Sequence, residues 1–120
     1  MKYILLMYHT EGVFTPEELP REMQYSLELC KELHAKGQFL GASPLLPVSA
    51  ATSLSSKSGR LDVVDGPFAE TKEQLGGYVL VDVPNLDDAI EVAQKFPAAK
   101  RGTVEIRPLF ELEGIPKVTD

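Results

Sequence analysis

Reactive side chains are few in this sequence: one cysteine (Cys30), two histidines (His9 and His34) and no tryptophan among 120 residues. A disulfide framework, a Cys-rich zinc site and a multi-His metal cage are thereby excluded within one chain. Carboxylates are the commonest reactive group, and they cluster. Asp62, Asp65, Glu70 and Glu73 fall with Lys72 between positions 62 and 73. Oxygen-rich clusters can hold Mg²⁺ or Ca²⁺, but this spacing matches no cation-binding loop, so neither a metal nor a cofactor is expected. Carboxylates beside a turn can instead move protons as general acids and bases. Asp65-Gly66-Pro67 is such a turn, since Gly permits unusual backbone angles and Pro fixes the next φ. Phe68 is an aromatic inside this polar turn, fit either to anchor the loop or to form one wall of a pocket. A solvated connecting loop and a binding site both suit the segment.

The remaining candidates are scattered. His9 ends the first apolar run, where ligand sites often open, and is a candidate acid or base. Cys30 and His34 lie one helical turn apart; a Cys–His pair can make a thiolate nucleophile, but no third orienting group is evident. The structural reading of these two, as core or core-edge residues, is the simpler one. Glu105 and Arg107 share one face of the last strand, where Arg107 could clamp a carboxylate bidentately or join a structural ion pair.

The elements that must position these groups follow from periodicity. Tyr3 to Tyr8 is an unbroken apolar run, the pattern of a strand buried on both faces. Thr15-Pro16-Glu17-Glu18 has the form of a capping box, although Pro20 argues for a separate first turn and a main helix beginning near it. Leu19, Met23, Leu27, Cys30 and His34 then form one stripe, and Gly37 is the natural stop. A strand follows within Gln38 to Leu46. Ala51–Leu54 and Arg60–Val64 read as a hairpin around the polar loop 55–59. Gly77 to Val81 is a second strand apolar on both faces. Asn85 caps a second helix with the stripe Leu86, Ala89, Ile90, Ala93 and Phe96, ended by Pro97. Thr103 to Arg107 alternates as an antiparallel strand does. With the hairpin set aside, the order is βαββαβ, an α+β, ferredoxin-like plan. Two helices cover one sheet face only, so the apolar second face predicts a homodimer.

The stretch from Asp65 to Tyr78, Asp-Gly-Pro-Phe-Ala-Glu-Thr-Lys-Glu-Gln-Leu-Gly-Gly-Tyr, resembles the signature of the DGPF-domain branch of the YCII-related proteins. Met1-Lys2-Tyr3, Leu5-Leu6 and Gly102 to Pro108 are similar to that branch's end strands. The resemblance covers about residues 1–110, leaving 111–120 as a tail. It implies a dimeric α+β barrel of ferredoxin-like subunits, and a link in many members to extracytoplasmic-function sigma factors. Some YCII relatives act on small ring compounds such as chlorinated hydroquinones through a His–Asp pair. Asp65 falls on the position that the signature fixes, whereas neither His9 nor His34 maps onto the histidine.

The formal charge of −6 and scattered basic residues exclude a nucleic-acid-binding stripe. The N-terminal apolar run is too short to cross a membrane or to serve as a secretory segment. Together with the lone thiol, this gives a cytoplasmic expectation. The functional expectation is a small-molecule site in a cleft near the DGPF loop. Asp65 would be its catalytic candidate, with His9 second; Phe68, Glu70, Lys72, Tyr78 and Arg107 would contact a ring or carboxylate metabolite. Lyase- or isomerase-type acid–base chemistry suits this set. The alternative is a non-catalytic ligand-sensing or partner-binding module in sigma-factor regulation.

Overall fold

A computed structural model describes residues 1–116; the last four residues of the expected tail lie outside the described residues. The apolar runs at either end of the chain and before the second helix pair into one antiparallel sheet. Its strands are β1 (Lys2–His9), β2 (Phe39–Pro44), β5 (Gln74–Asp82) and β6 (Thr103–Pro108), in the order β2-β5-β1-β6. The two continuously apolar segments, β1 and β5, are therefore central, as their patterning requires. Helix α1 (Leu19–Ala35) joins β1 to β2. Helices α2 (Leu86–Ala93) and α3 (Pro97–Arg101) join β5 to β6. The core lies on the helix side of the sheet. Leu5 and Val81 are fully buried there, with Tyr3, Met7, Val79, Leu29, Leu33, Ala89 and Phe96 around them.

Several boundaries differ from expectation for local reasons. Helix α2 ends at Ala93, short of the expected stop at Pro97, and Pro97 instead starts α3, because its fixed φ suits a first helical position. Asn85 does cap α2, its Oδ1 accepting from the Asp88 amide at 2.9 Å. The capping box at Thr15 forms with both reciprocal bonds, Thr15 N–H to Glu18 at 3.0 Å and Glu18 N–H to Thr15 Oγ1 at 3.2 Å. It closes a turn ahead of α1 rather than the helix itself, since Pro20 occupies the helix's first turn.

The hairpin is tighter than its serine-rich loop suggests. Strands β3 (Thr52–Lys57) and β4 (Arg60–Asp65) pair through Lys57 and Arg60, leaving only Ser58-Gly59 as the turn. Both of these residues have positive φ, the backbone of a type I′ turn that matches strand twist. The two strands form a sheet of their own, and β4 is exposed along its whole length. Leu54, Leu61 and Val63 stand open on this hairpin. Behind the main sheet, Ile4, Leu6, Tyr8, Tyr78 and Leu80 are only half-buried, on the face opposite the helices.

Candidate functional site

Of the stripe Leu19-Met23-Leu27-Cys30 only Cys30 packs against the core; the other three are exposed, against what their spacing suggests. The deeply buried side chains of α1 are Leu29 and Leu33. The stripe stands off the sheet and borders a cavity of about 410 Å³. Glu22 and Ser26 lie on the same wall. Their polarity within an apolar stripe was the one sequence signal that this face meets an open space rather than packed side chains. The floor comes from Met7 and Val79 of the central strands, and one end from Phe96, Pro97 and Ala98. Among the described residues no lysine or arginine lines the space. The size falls within the roughly 300–1,000 Å³ of small-molecule pockets, and the wall is apolar with a few polar groups, as such pockets are.

His9 also lines this cavity, beside Phe14 and Gly76. Strand alternation puts it there, on the same face as Tyr3, Leu5 and Met7, and a β-bulge on the neighbouring strand leaves it room. Met7 pairs with Gly77 and Tyr8 with Leu75, so Gly76 is the extra residue on β5. Bulges are over-represented next to functional sites, and a glycine is needed here because a methyl group on Gly76 would overlap His9 Nε2. His9 Nδ1 lies 3.2 Å from the Thr10 carbonyl. A carbonyl only accepts, so this contact is a hydrogen bond when Nδ1 carries the proton, the tautomer in which Nε2 is the accepting nitrogen. Phe14 meets the imidazole edge-on, centroids 5.3 Å apart at 79°. Gln74, in register with His9, has a buried Oε1 with no hydrogen-bond partner among the described residues.

The other expected site residues fall elsewhere. Asp65 ends β4 opposite Thr52, and no hydrogen bond or ion pair among the described residues joins it to either histidine. The turn after it is held by the Gly66 amide on the Ala51 carbonyl and by Ser53 Oγ on the Gly66 carbonyl, both at 2.7 Å. Phe68 is 94% exposed, which makes it neither an anchor nor a wall within this chain. Glu70 and Lys72 are exposed and lie outside the cavity. Glu73 instead accepts from Thr103 Oγ1 at 2.7 Å, tying the loop to β6. Tyr78 lies on β5 where the strand borders the cavity, but its register with Leu6 and alternation with buried Val79 put its side chain on the face opposite the helices. Arg107 pairs with Ile4, whereas its neighbour Ile106 pairs with buried Leu5. Strand alternation therefore puts Arg107 on the face away from the cavity. Arg107 is thus poorly placed to hold a carboxylate in that space. His34 is exposed and packs edge-on against Phe39 at 6.5 Å. Among the described residues no group of three or more His, Cys, Asp or Glu is arranged to hold a metal ion.

Two titratable groups are perturbed. Burial pushes the Cys30 thiol up, which opposes a thiolate role. Alkylation by iodoacetamide at neutral pH should accordingly be several-fold slower than for a free thiol, and normal speed would contradict this placement of Cys30. Glu18 is held below its ordinary value, first by the Thr15 amide and then by Arg101. A depressed carboxylate contributes stability that is present above its unfolded pKa and is lost as pH falls through the folded one. Acidification below the ordinary value of 4.5 should loosen the turn at Thr15–Glu18. Amide exchange in residues 13–19 should then rise in wild type, with the acid-dependent part absent from Glu18→Gln.

A four-stranded antiparallel sheet with helices on one face and a cavity beneath them defines a ferredoxin-like α+β small domain with the makings of a small-molecule site. The chain belongs to the YCII-related domain family, whose pattern matches residues 1–113. It is 37% identical over 114 residues to an uncharacterised protein of Rhizobium meliloti (strain 1021), covering 91% of this chain and 92% of that one. Among solved structures its fold is similar to 5-chloro-2-hydroxyhydroquinone dehydrochlorinase (TftG) from Burkholderia phenoliruptrix AC1100, in complex with 2,5-dihydroxybenzoquinone. The TM-score is 0.56 at 12% identity, over 92% of this chain and 94% of that one. No helix among the described residues is long and apolar enough to cross a membrane.

Proposed function

We propose that this chain, a member of the DGPF branch, binds a small uncharged ring compound in the cavity under α1 and acts on it by acid–base chemistry of lyase or isomerase type. The observation that carries the reading is His9: its Nδ1 meets the Thr10 carbonyl, and the ring lines an apolar space of about 410 Å³. Nε2 is the proton acceptor of this reading, and Glu22 the second polar group on the wall. Asp65 takes the organising role in the DGPF turn rather than the proton-transfer role. Among the described residues no Lys or Arg lines the space, which favours a neutral ring over a carboxylate, because a desolvated anion would lack a counter-charge there. The fold neighbour that acts on a hydroquinone supports the substrate class by analogy.

The working unit of this proposal is a cytoplasmic homodimer. The half-buried apolar face of the central strands and the exposed hairpin side chains Leu54, Leu61 and Val63 support it, since a lone two-stranded hairpin is marginal in water. Light scattering at micromolar concentration should give twice the 13.2 kDa chain mass; a stable monomer would refute the dimer.

The functional test is turnover of chlorinated and unsubstituted hydroquinones, followed by absorbance. His9→Gln should lower the rate by about 10²–10⁴-fold, while Asp65→Asn retains most of it. Loss of turnover in folded Asp65→Asn, with activity kept in His9→Gln, would reverse the two roles.

A further inference from the structure

We infer that Arg101 is the positioning residue for His9, acting through Phe14. Arg101 is the last residue of α3, whose first residues Pro97 and Ala98 form one end of the cavity. Its guanidinium reaches across to the loop between β1 and α1 and meets it at three points. One nitrogen donates to Glu18 Oε2 at 2.9 Å, and the other to the Val13 carbonyl. The planar group also lies over the Phe14 ring, 4.9 Å from its centroid. Phe14 in turn presses edge-on against the imidazole of His9.

The loop has few other restraints. Glu11 accepts from the Val48 amide at 3.1 Å, the Val13 amide donates to Thr10 at 3.1 Å, and the Thr15–Glu18 box closes its far end. None of these holds the Phe14 ring. A planar guanidinium suits this task, because one group can donate to two acceptors in its plane and stack a ring on its face. A lysine ammonium can do only part of this. The Gly76 bulge stands against the imidazole at Nε2. The ring thus touches a fixed glycine and an aromatic whose position depends on Arg101. Without that pressure the ring can leave the Thr10 carbonyl, and the proton is no longer confined to Nδ1.

The inference gives His9 as proposed above its orientation, yet it can be tested without any ligand. Nitrogen NMR of histidine-labelled protein is recorded at alkaline pH, where imidazoles are neutral. The two histidines supply a probe and its control, since His34 lies on α1 away from this contact set. In wild type His9 should show one tautomer, with well-separated ring-nitrogen shifts. In Arg101→Ala these shifts should move toward each other while those of His34 stay in place. Phe14→Leu should do the same, and Arg101→Lys should fall between. Unchanged His9 shifts in folded Arg101→Ala would overturn the assignment. Should that variant fail to fold, Arg101→Met, which keeps the packing of the stem, is judged by the same criterion. Hydroquinone binding, followed in parallel by thermal shift, should weaken roughly tenfold in Arg101→Ala. Absence of hydroquinone binding to wild type, with the tautomer change still seen, would remove the functional reading and leave the role of Arg101 standing.

Discussion

Gly102→Ala is expected to destabilise the protein by about 2–3 kcal/mol, lowering Tm by about 10 °C. Its backbone is extended, so the effect arises from space and not from a forbidden φ. A methyl group at this position would overlap the Tyr8 carbonyl oxygen and come within 3.1 Å of His9 Cα. Both obstacles belong to the backbone or its first side-chain atom, which cannot rotate away. Relief requires β6 to move off β1, and that pairing runs from Tyr3–Pro108 to Tyr8–Thr103. Thermal unfolding monitored by circular dichroism measures the loss. A wild-type Tm in Gly102→Ala would show that the α3–β6 junction is looser than described.

Gly76→Ala should have the opposite profile, a nearly unchanged fold with a lost site. The added methyl group would meet His9 Nε2, the far end of a side chain that can swing aside. Stability should therefore change by less than about 1 kcal/mol. The displaced imidazole would abandon the Thr10 carbonyl and its contact with Phe14, so turnover of a ring substrate should fall by about 10²-fold. Paired Tm and rate measurements separate the two glycines, although both touch His9. Equal losses of stability in the two variants would contradict the bulge geometry.

The sheet was legible in the sequence because strand burial has a short period and few alternatives. Unbroken apolar runs at Tyr3–Tyr8 and Gly77–Val81 could only be central, and they are. The α1 stripe was harder, since periodicity tells which residues share a face but not what that face meets. Leu19, Met23 and Leu27 face a cavity, while Leu29 and Leu33 carry the packing. The serine-rich hairpin misled for a similar reason: polar residues fit a ladder whose two faces both meet solvent. Asp65 and Phe68 drew notice through local density of charge and a conspicuous motif, yet both lie outside the cavity. Thr10 and Phe14 are neighbours of His9 in sequence, but the guanidinium stacked on Phe14 comes from afar. Arg101 is 83 positions from Glu18, and nothing local marks such a pairing. Arg101 reads in sequence as an ordinary cation at a helix end.

Thermal unfolding in the presence of hydroquinone, with benzoate as the anionic counterpart, tests the central claim most directly. A ligand that binds only the native state must raise Tm with concentration. Tm should rise with hydroquinone and little or not at all with benzoate, and the rise should be lost in Ser26→Phe, whose new ring would fill the cavity from α1. No rise with neutral rings, or a rise that persists in folded Ser26→Phe, would contradict a binding site between α1 and the sheet.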